Sequence, residues 1–358
     1  MKVKGSLAQR LVQWQLRDGR HDLPWQNTTD AYRIWLSEIM LQQTQVITVI
    51  DYYARFLKRF PTVFDLAAAS QDEVLALWAG LGYYSRARNL HACAQRVVNE
   101  FGGVFPNTPE ALITLPGIGA STAAAIAVFA YAYPAPILDG NVKRILSRAY
   151  GIIDVPSAQT DRLLWQKAHE TLVTISDAKQ LETPFEQALR AYTQGVMDLG
   201  ANVCRRAQAV CDRCPWQADC WAYQNDHVAQ IPAPKARTEV KTLQMDWYIY
   251  RHGNRVWLQQ QPEKGIWAKL WVFPTSAVFE SEAAISQLTP ISHRLTHRLL
   301  HIQPYWIELT DAQAKSLERM GNATGQWLAI DEERLELALP KPAEQLLRTL
   351  FDQNSLLN

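Results

Sequence analysis

Four of the five cysteines in this chain of 358 residues fall in one short run: Cys204, Cys211, Cys214 and Cys220. The start of the chain, MKVKGSLAQRLVQWQL, has no uninterrupted apolar segment and no small-residue cleavage site, so we expect no secretory leader. In a large chain without a leader, clustered cysteines more often bind a metal than form disulfides. The run therefore predicts a loop folded around a metal centre.

The spacing Cys-x6-Cys-x2-Cys-x5-Cys narrows the choice of metal. Zinc sites usually pair their cysteines as two close-spaced couples, and only Cys211 and Cys214 form such a couple here. Four thiolates from a short run also suit an iron–sulfur cluster. The spacing alone favours the cluster modestly and leaves zinc open. Cys93, in ARNLHACAQRV, is predicted to be an ordinary buried thiol.

The sequence divides into two parts with different residue patterns. Residues 1–225 show helical patterns throughout, with helix starts expected at Ser70, Thr108 and Thr183, and two consecutive helices that break near Gln42–Gln45. Apolar residues make up 48% of the chain, which indicates a globular protein. No segment reaches about 18 consecutive apolar residues, so no membrane span is expected. The net charge of +1 implies that any DNA-binding face is a local patch.

Residues 226–245 are polar, carry two prolines and lack periodicity, which indicates a linker. Beyond it, His252-Gly253-Asn254 separates two β-rich runs, QPYWIEL and GQWLAI predict further strands, and PAEQLLRTLFDQ predicts a closing helix. The sequence thus predicts a mainly α-helical N-terminal domain (1–225, with its cysteine loop at 204–220) and an α+β C-terminal domain (246–358).

Further along the helical part, LPGIG (115–119) links two predicted helices. A tight Gly-rich turn between helices forms a helix-hairpin-helix, whose second helix offers free N–H groups to a phosphate. Taken alone, an ordinary turn between helices explains the segment equally well. Asp139 follows an apolar run and is either a simple N-cap or a carboxylate held near the hairpin. Glu38, flanked by apolar residues, is either a solvated helix position or a buried acid with a raised pKa.

Together, LPGIG, the loop ending in Asp139 and the cysteine spacing resemble the endonuclease III (HhH-GPD) superfamily of DNA glycosylases. LSEIMLQQTQV, GLGYYSRARNL, LDGNVKR and MDLGA are closer still to its adenine-specific branch. The resemblance covers nearly all of residues 7–225 and is weaker in the C-terminal part, at GIWAKLWVFP and SHRLTH. It implies a helix-hairpin-helix glycosylase fold, a structural 4Fe–4S cluster on the four cysteines and a Nudix-like C-terminal domain.

The resemblance also implies an activity in base excision repair, hydrolysis of the N-glycosidic bond of adenine opposite 8-oxoguanine or guanine in double-stranded DNA. By this similarity Glu38 protonates the base and can later activate water, Asp139 stabilises the oxocarbenium-like sugar or bonds to it, and Asn141 orients the catalytic groups. Bifunctional relatives carry a lysine where this chain has Ser121. We therefore expect a monofunctional enzyme that leaves an abasic site.

The same similarity assigns the DNA contacts. Gln43 and Tyr83 match positions that insert into the duplex when the base is flipped out. The hairpin residues expected at the DNA are Leu115, Gly117, Gly119 and Ser121. In the C-terminal domain, Leu295, Thr296 and His297 stand where the family's lesion-sensing loop has Phe-Ser-His. Leu295 is expected to wedge toward DNA and Thr296 to offer its hydroxyl to the lesion.

Three other functions stay open at this point. An endonuclease III-like lyase acting on oxidised pyrimidines is disfavoured by Ser121 and by the C-terminal domain. A non-catalytic DNA-binding or redox protein is disfavoured because Glu38 and Asp139 are both present. A Nudix hydrolase is disfavoured because the signature G-x5-E-x7-R-E-x2-E-E-x-G does not occur in the C-terminal domain. We expect a cytoplasmic, nucleoid-associated monomer of bacterial type.

Overall fold

The computed structural model describes residues 5–175, 183–234, 239–279, 285–320, 324–330 and 337–355, with side chains up to residue 350. The chain forms two compact units. The first comprises Met1–Ala67 and Ala92–Ala236, and the second comprises Ala68–His91 and Arg237–Asn358. A segment from the helical part of the sequence, residues 68–91, therefore groups with the C-terminal residues.

The helices in the first two thirds of the chain account for the predicted helical texture. In chain order they are α1 (Leu7–Asp18), α2 (Ala31–Leu41), α3 (Val46–Arg59), α4 (Val63–Ala68), α5 (Gln71–Trp78), α6 (Ser85–Phe101), α7 (Pro109–Leu112), α8 (Ala120–Tyr131), α9 (Gly140–Tyr150), α10 (Ala158–Val173), α11 (Phe185–Asp198) and α12 (Trp221–Gln224). A π-helical turn, Leu199–Val203, directly follows α11.

Local sequence signals set most of the helix ends that were predicted. The Ser70 and Thr108 side chains cap α5 and α7 by accepting the backbone N–H groups of Glu73 and Ala111. The predicted break between α2 and α3 is confirmed at Gln42–Gln45. The prediction that Thr183 caps α11 is wrong, because Pro184 holds the N-cap position and makes no side-chain cap hydrogen bond.

The core of the first unit positions the helix ends that carry the site. One buried cluster joins α1, α8, α9, α10 and α11, and it includes Leu11, Val128 and Leu189, all fully buried. The sequence of α8 is apolar on every side, as expected for a helix enclosed by others. The hairpin therefore leads into a rigid central helix, and α9 begins beside it at Asp139.

The second unit is built on a mixed sheet. Its described strands are β1 (Lys241–His252), β2 (Arg255–Gln260), β3 (Trp271–Val272), β4 (Ile285–Gln287), β5 (Ile291–Arg294), β6 (Arg298–Glu308) and β7 (Gly325–Ala329). They run in the order β3-β2-β1-β6-β4, with β5 paired to β6 and β7 paired to β2. The predicted hairpin is confirmed, since β1 and β2 pair antiparallel around Gly253. The first strand starts at Lys241, inside the segment predicted as linker.

Helices cover both faces of this sheet. Trp247 and Ile249 of β1 pack on one face in a cluster with Leu347 of α14 (Lys341–Ser355). Tyr250 packs on the other face in a cluster with Leu317 of α13 (Asp311–Met320). The strands predicted at QPYWIEL and GQWLAI and the closing helix are confirmed. None of the helices in the described ranges has the length and apolar character needed to cross a membrane.

Candidate active site

A cavity in the first unit has Glu38 in its wall. Ile34, Ser37 and Leu41, which lie with Glu38 on α2, line the same cavity, as do Trp25 and Val46. The Ser37 hydroxyl is buried and donates to the Ile34 carbonyl at 2.8 Å, so it is satisfied within α2. Apolar surface and one carboxyl group thus form this side of the cavity.

Another part of the cavity wall is polar. It comes from the loop after α1 and from α11, with side chains that donate or accept hydrogen bonds: Arg20, Gln26, Gln187, Arg190 and Gln194. Wall residues of this kind were not predicted, because none belongs to a local motif with a chemical signature. A cavity with one apolar side and several polar groups is typical of a small-molecule or base-binding site.

The environment of Glu38 favours its protonated form. Its side chain is half-buried, with its remaining surface on the cavity. Burial raises the pKa of Glu38 from 4.5 to about 7, and the negative charge of Asp139 contributes in the same direction. Of the two interpretations of Glu38 from sequence, the buried acid with a raised pKa is the one that the structure shows.

Asp139 is the N-cap of α9 and is held in place by two contacts of the backbone around it. Its Oδ1 accepts the Val142 N–H at 2.8 Å. One residue earlier, the Leu138 N–H donates to the Ser121 hydroxyl at 3.1 Å. The side chain of Asp139 remains exposed. Asp139 is therefore both a helix cap and a carboxylate fixed next to the hairpin helix, close enough to Glu38 to affect its pKa.

Asn141 lies in the first turn of α9 and accepts a hydrogen bond from Arg144. The Arg144 Nη2 donates to Asn141 Oδ1 at 3.0 Å and to the Gly200 carbonyl at 2.8 Å, while its Nε donates to the Cys204 carbonyl at 2.8 Å. The π-helical turn passes so close that a Cβ at position 200 would lie 2.7 Å from the Asn141 Cβ. Glycine is required there by this approach.

The LPGIG segment forms the expected turn between α7 and α8. Leu115 and Ile118 are buried and anchor it, whereas Gly117 adopts φ +76°. Gly119 is the N-cap of α8, and a Cβ built there would meet nothing within 4 Å. The first N–H groups of a helix have no partner within the helix. The start of α8 can therefore receive a phosphate.

The four cysteines of the loop line one small cavity, together with Arg148. The buried Arg148 guanidinium donates to Cys204 Sγ at 3.3 Å and to the carbonyls of Arg205 and Ile231, each at 2.8 Å. The backbone N–H of Trp216 also bonds the Cys214 sulfur. Cationic and N–H donors directed at sulfur favour thiolate ligands.

The donor set fits the predicted cluster in its chemistry, because four thiol groups line one cavity. Within the described ranges, no three His, Cys, Asp or Glu side chains are arranged to hold a single metal ion. Cys93 lies elsewhere, on α6, where burial raises its pKa to about 12, so the prediction of an ordinary buried thiol is confirmed.

Gln43 and Tyr83 are exposed residues with left-handed backbone, at φ +58° and +50°. Two side chains hydrogen-bond the loop that carries Tyr83. The Gly82 carbonyl accepts a hydrogen bond from Trp78 Nε1 at 3.1 Å and another from Arg86 Nη2 at 3.2 Å. The Arg86 guanidinium also lies 5.5 Å from the Tyr83 ring centre. Tyr83 is thus 46% exposed yet rigidly supported.

Leu295, Thr296 and His297 form the tip between β5 and β6, closed by a hydrogen bond from the Leu295 N–H to the Arg298 carbonyl at 2.8 Å. Thr296 and His297 are exposed, whereas Leu295 is partly buried against the core of the sheet. The Thr296 hydroxyl donates to the Tyr83 phenol oxygen at 3.4 Å, within the second unit. This hydrogen bond connects Thr296 with Tyr83, two residues for which the sequence predicted separate DNA contacts.

Comparison with known proteins places this site in a class. Residues 36–170 match the HhH-GPD superfamily of base excision DNA repair proteins, and residues 246–349 match the NUDIX domain. A thermostable thymine-DNA glycosylase of known structure is 27% identical, with a TM-score of 0.52, over 61% of this chain and 95% of that chain. The fold and the site therefore define a DNA glycosylase joined to a Nudix domain, as the sequence predicted.

Two sequences named adenine DNA glycosylase narrow the class. That of Buchnera aphidicola subsp. Baizongia pistaciae is 34% identical over 359 residues, covering 97% of both chains. That of Homo sapiens is 41% identical over 233 residues, which is 62% of this chain and 40% of the human one. The chain belongs to the adenine DNA glycosylase family. It is an enzyme of base excision repair that hydrolyses N-glycosidic bonds, which confirms the predicted class of reaction.

Proposed function

We propose that the chain removes adenine opposite 8-oxoguanine or guanine from double-stranded DNA, with Glu38 as the acid and Asp139 as the stabiliser of the sugar cation. The observation that carries this proposal is a carboxyl group in a cavity wall whose pKa is raised to about 7 by burial and by the charge of a second carboxylate, Asp139. The flipped adenine enters the cavity beside Glu38. The enzyme acts as a monomer at the bacterial nucleoid, in the cytoplasm.

At neutral pH about half of the Glu38 side chains hold a proton, because the pKa lies near 7. Glu38 delivers this proton to a ring nitrogen of adenine, which makes the base a better leaving group. The C1′–N bond then breaks with its electron pair going to the base. The Glu38 carboxylate left behind accepts a proton from the water that attacks C1′, which restores the acid.

Asp139 supplies a negative charge that balances the positive charge left on the sugar when the base departs. One carboxylate oxygen is fixed by the Val142 N–H, so the rotamer is set before substrate arrives. Such preorganisation lowers the barrier without reorganisation during the reaction. Asn141, held by Arg144 at 3.0 Å, orients groups at the same end of α9.

The enzyme is monofunctional in this proposal. Ser121 occupies the place where a nucleophilic amine would stand, and its oxygen already accepts the Leu138 N–H. A hydroxyl cannot form a Schiff base with the sugar aldehyde. The product is therefore an abasic site in an intact strand.

The thiolates of Cys204, Cys211, Cys214 and Cys220 would hold one 4Fe–4S cluster. Four-thiolate coordination and N–H donors at the sulfurs are usual for such clusters. The chemistry that the cluster supplies when bound is structural, since it cross-links the loop of residues 204–220. Arg148 ties that loop to α9 by donating to the carbonyls of Arg205 and Arg206.

Recognition of 8-oxoguanine is assigned to Thr296 and His297 of the Nudix-like unit, together with Tyr83. Their support is the exposed turn and the hydrogen bond between the Thr296 hydroxyl and the Tyr83 phenol. Hydroxyl groups that bond the lesion discriminate against guanine, which would leave them unpaired. Leu295 as a wedge toward DNA stays a prediction.

The test is adenine release from duplexes that differ only in the base opposite adenine. The full chain should release adenine from pairs with 8-oxoguanine and with guanine, and much more slowly from a pair with thymine. Glu38→Gln and Asp139→Asn should each bind the duplex but lose release by orders of magnitude, because both groups act in the transition state. Near-normal single-turnover release by either variant would remove that residue from its role.

A further inference from the structure

Asp198, the last residue of α11, is a fully buried carboxylate surrounded by N–H donors. Its Oδ2 accepts the Arg20 backbone N–H at 2.9 Å. Its Oδ1 accepts the Arg20 Nε at 2.7 Å and the Gln194 Nε2 at 2.9 Å. A buried carboxylate is costly unless it is paired and hydrogen-bonded, and here both conditions are met.

The two partners of Asp198 are wall residues of the Glu38 cavity. Arg20 and Gln194 both line it, and so does Met197, whereas Asp198 lies behind the wall. The loop after α1 is fixed further by Gln26, whose Nε2 donates to the Arg20 carbonyl at 3.0 Å. Asp198 is thus the buried anchor of a loop that shapes the cavity.

The residues directly after Asp198 contact α9, the helix that Asp139 caps. The π-helical turn begins at Leu199, and Gly200 packs against Asn141 and accepts Arg144 Nη2 at 2.8 Å. π-Helical segments are rare and frequently occur at functional sites. One short stretch, Asp198-Leu199-Gly200, therefore contacts the cavity wall on one side and the helix of Asp139 on the other.

We propose that Asp198 is a positioning residue for base excision. It holds Arg20 and Gln194 so that a base in the cavity is seated against Glu38, in register with α9. This inference rests on the proposed function, since it assumes that the flipped base occupies the cavity. Stability alone is a weak reason for such a pair, because buried ion pairs contribute little net stability compared with apolar packing.

The first test uses Asp198→Asn in the full chain, which keeps the shape of the side chain and removes its charge. Single-turnover release of adenine opposite 8-oxoguanine should fall by about 10- to 100-fold, the cost of a base displaced by about 1 Å. Affinity for a duplex with a non-cleavable adenine analogue should fall as well. Affinity for a duplex with a tetrahydrofuran abasic site should be unchanged, because no base enters the cavity.

A second variant makes the test independent of folding problems in the first. The double variant Asp198→Asn/Arg20→Gln carries neither charge of the Asp198–Arg20 ion pair. It should lose no more adenine release than either single variant, because both substitutions break the same contact. The matched control is Asp18→Asn, which removes the exposed ion pair with Arg17 in the same region and should release adenine normally.

The outcomes separate this inference from the proposed function. Normal release by Asp198→Asn, an equal loss of affinity for the abasic duplex, or additive losses in the double variant would each overturn the positioning role. If the unmodified chain itself released no adenine from either mispair, the proposed function would fail instead.

Discussion

Glu38 should reduce the stability of the folded protein at high pH, and its replacement by Gln should restore it. The pKa of Glu38 is about 7 in the folded state, compared with 4.5 for an exposed glutamate. Between these values the folded state keeps a proton that the unfolded state releases. The free energy of unfolding therefore falls as pH rises from about 4.5 to about 7, and the loss is complete above that range.

The size of this effect follows from the change in pKa. The rise from 4.5 to about 7 corresponds to about 3 kcal/mol above pH 7, and the same linkage leaves less than about 1 kcal/mol at pH 5. These values are upper limits, because water in the cavity solvates the half-buried carboxylate. The difference of about 2 kcal/mol corresponds to roughly 4–8 °C in Tm for a domain of this size.

The assay is the Tm of the full chain and of Glu38→Gln at pH 5 and pH 8. The advantage of Glu38→Gln over the unmodified chain should grow by several degrees between the two pH values. The matched control is Glu100→Gln, which makes the same change at the exposed ion pair with Arg96, and the Glu38 effect is the excess over it. An advantage that is identical at pH 5 and pH 8 would refute the raised pKa.

Three further predictions concern the product, the metal and the lesion. Product strands should stay intact until treated with alkali, and scission without alkali at the rate of base release would contradict the role given to Ser121. Purified protein should be yellow-brown and contain iron and inorganic sulfide in equal amounts, whereas stoichiometric zinc without iron would exclude the cluster. Thr296→Val should lower the preference for 8-oxoguanine over guanine opposite adenine by about 5- to 150-fold, equivalent to about 1–3 kcal/mol. An unchanged preference would show that the lesion is read elsewhere.

Features encoded by neighbouring residues were predictable from sequence. The caps at Ser70 and Thr108, the break at Gln42–Gln45 and the hairpin at Gly253 all arise from short-range backbone preferences. The error at Thr183 has the same origin, since a Thr-Pro pair also suits a helix whose N-cap is the proline itself.

Features encoded by distant residues were not predictable. The segment 68–91 joins the second unit through contacts such as Tyr84 to the Leu339 carbonyl at 3.0 Å and Arg88 to the Ala268 carbonyl at 3.0 Å. These partners are far apart in sequence and leave no periodic signal. The pairing of Arg20 with Asp198 was not predictable for the same reason, although Asp198 lies in the MDLGA motif.

The chemical groups of the candidate site were predicted from the sequence, whereas the packing around these groups was not. Glu38, Asp139 and Asn141 were singled out by the family resemblance, whereas the residues alone left Glu38 between a solvated position and a buried acid. That choice depends on how α2 packs and on the charge at the start of α9, which only the folded chain determines. The type of a residue determines which chemistry its side chain can perform, and the packing around that side chain determines its pKa.

The most direct test of the central claim is the pH dependence of adenine release from a duplex with adenine opposite 8-oxoguanine, measured in single turnover between pH 6 and pH 9. Because the protonated form of Glu38 is the acid and its pKa is about 7, the rate should be highest near pH 6. It should fall by about tenfold for each pH unit above about 7.5. A rate that stays flat or rises across this range would contradict Glu38 as the acid that releases the base.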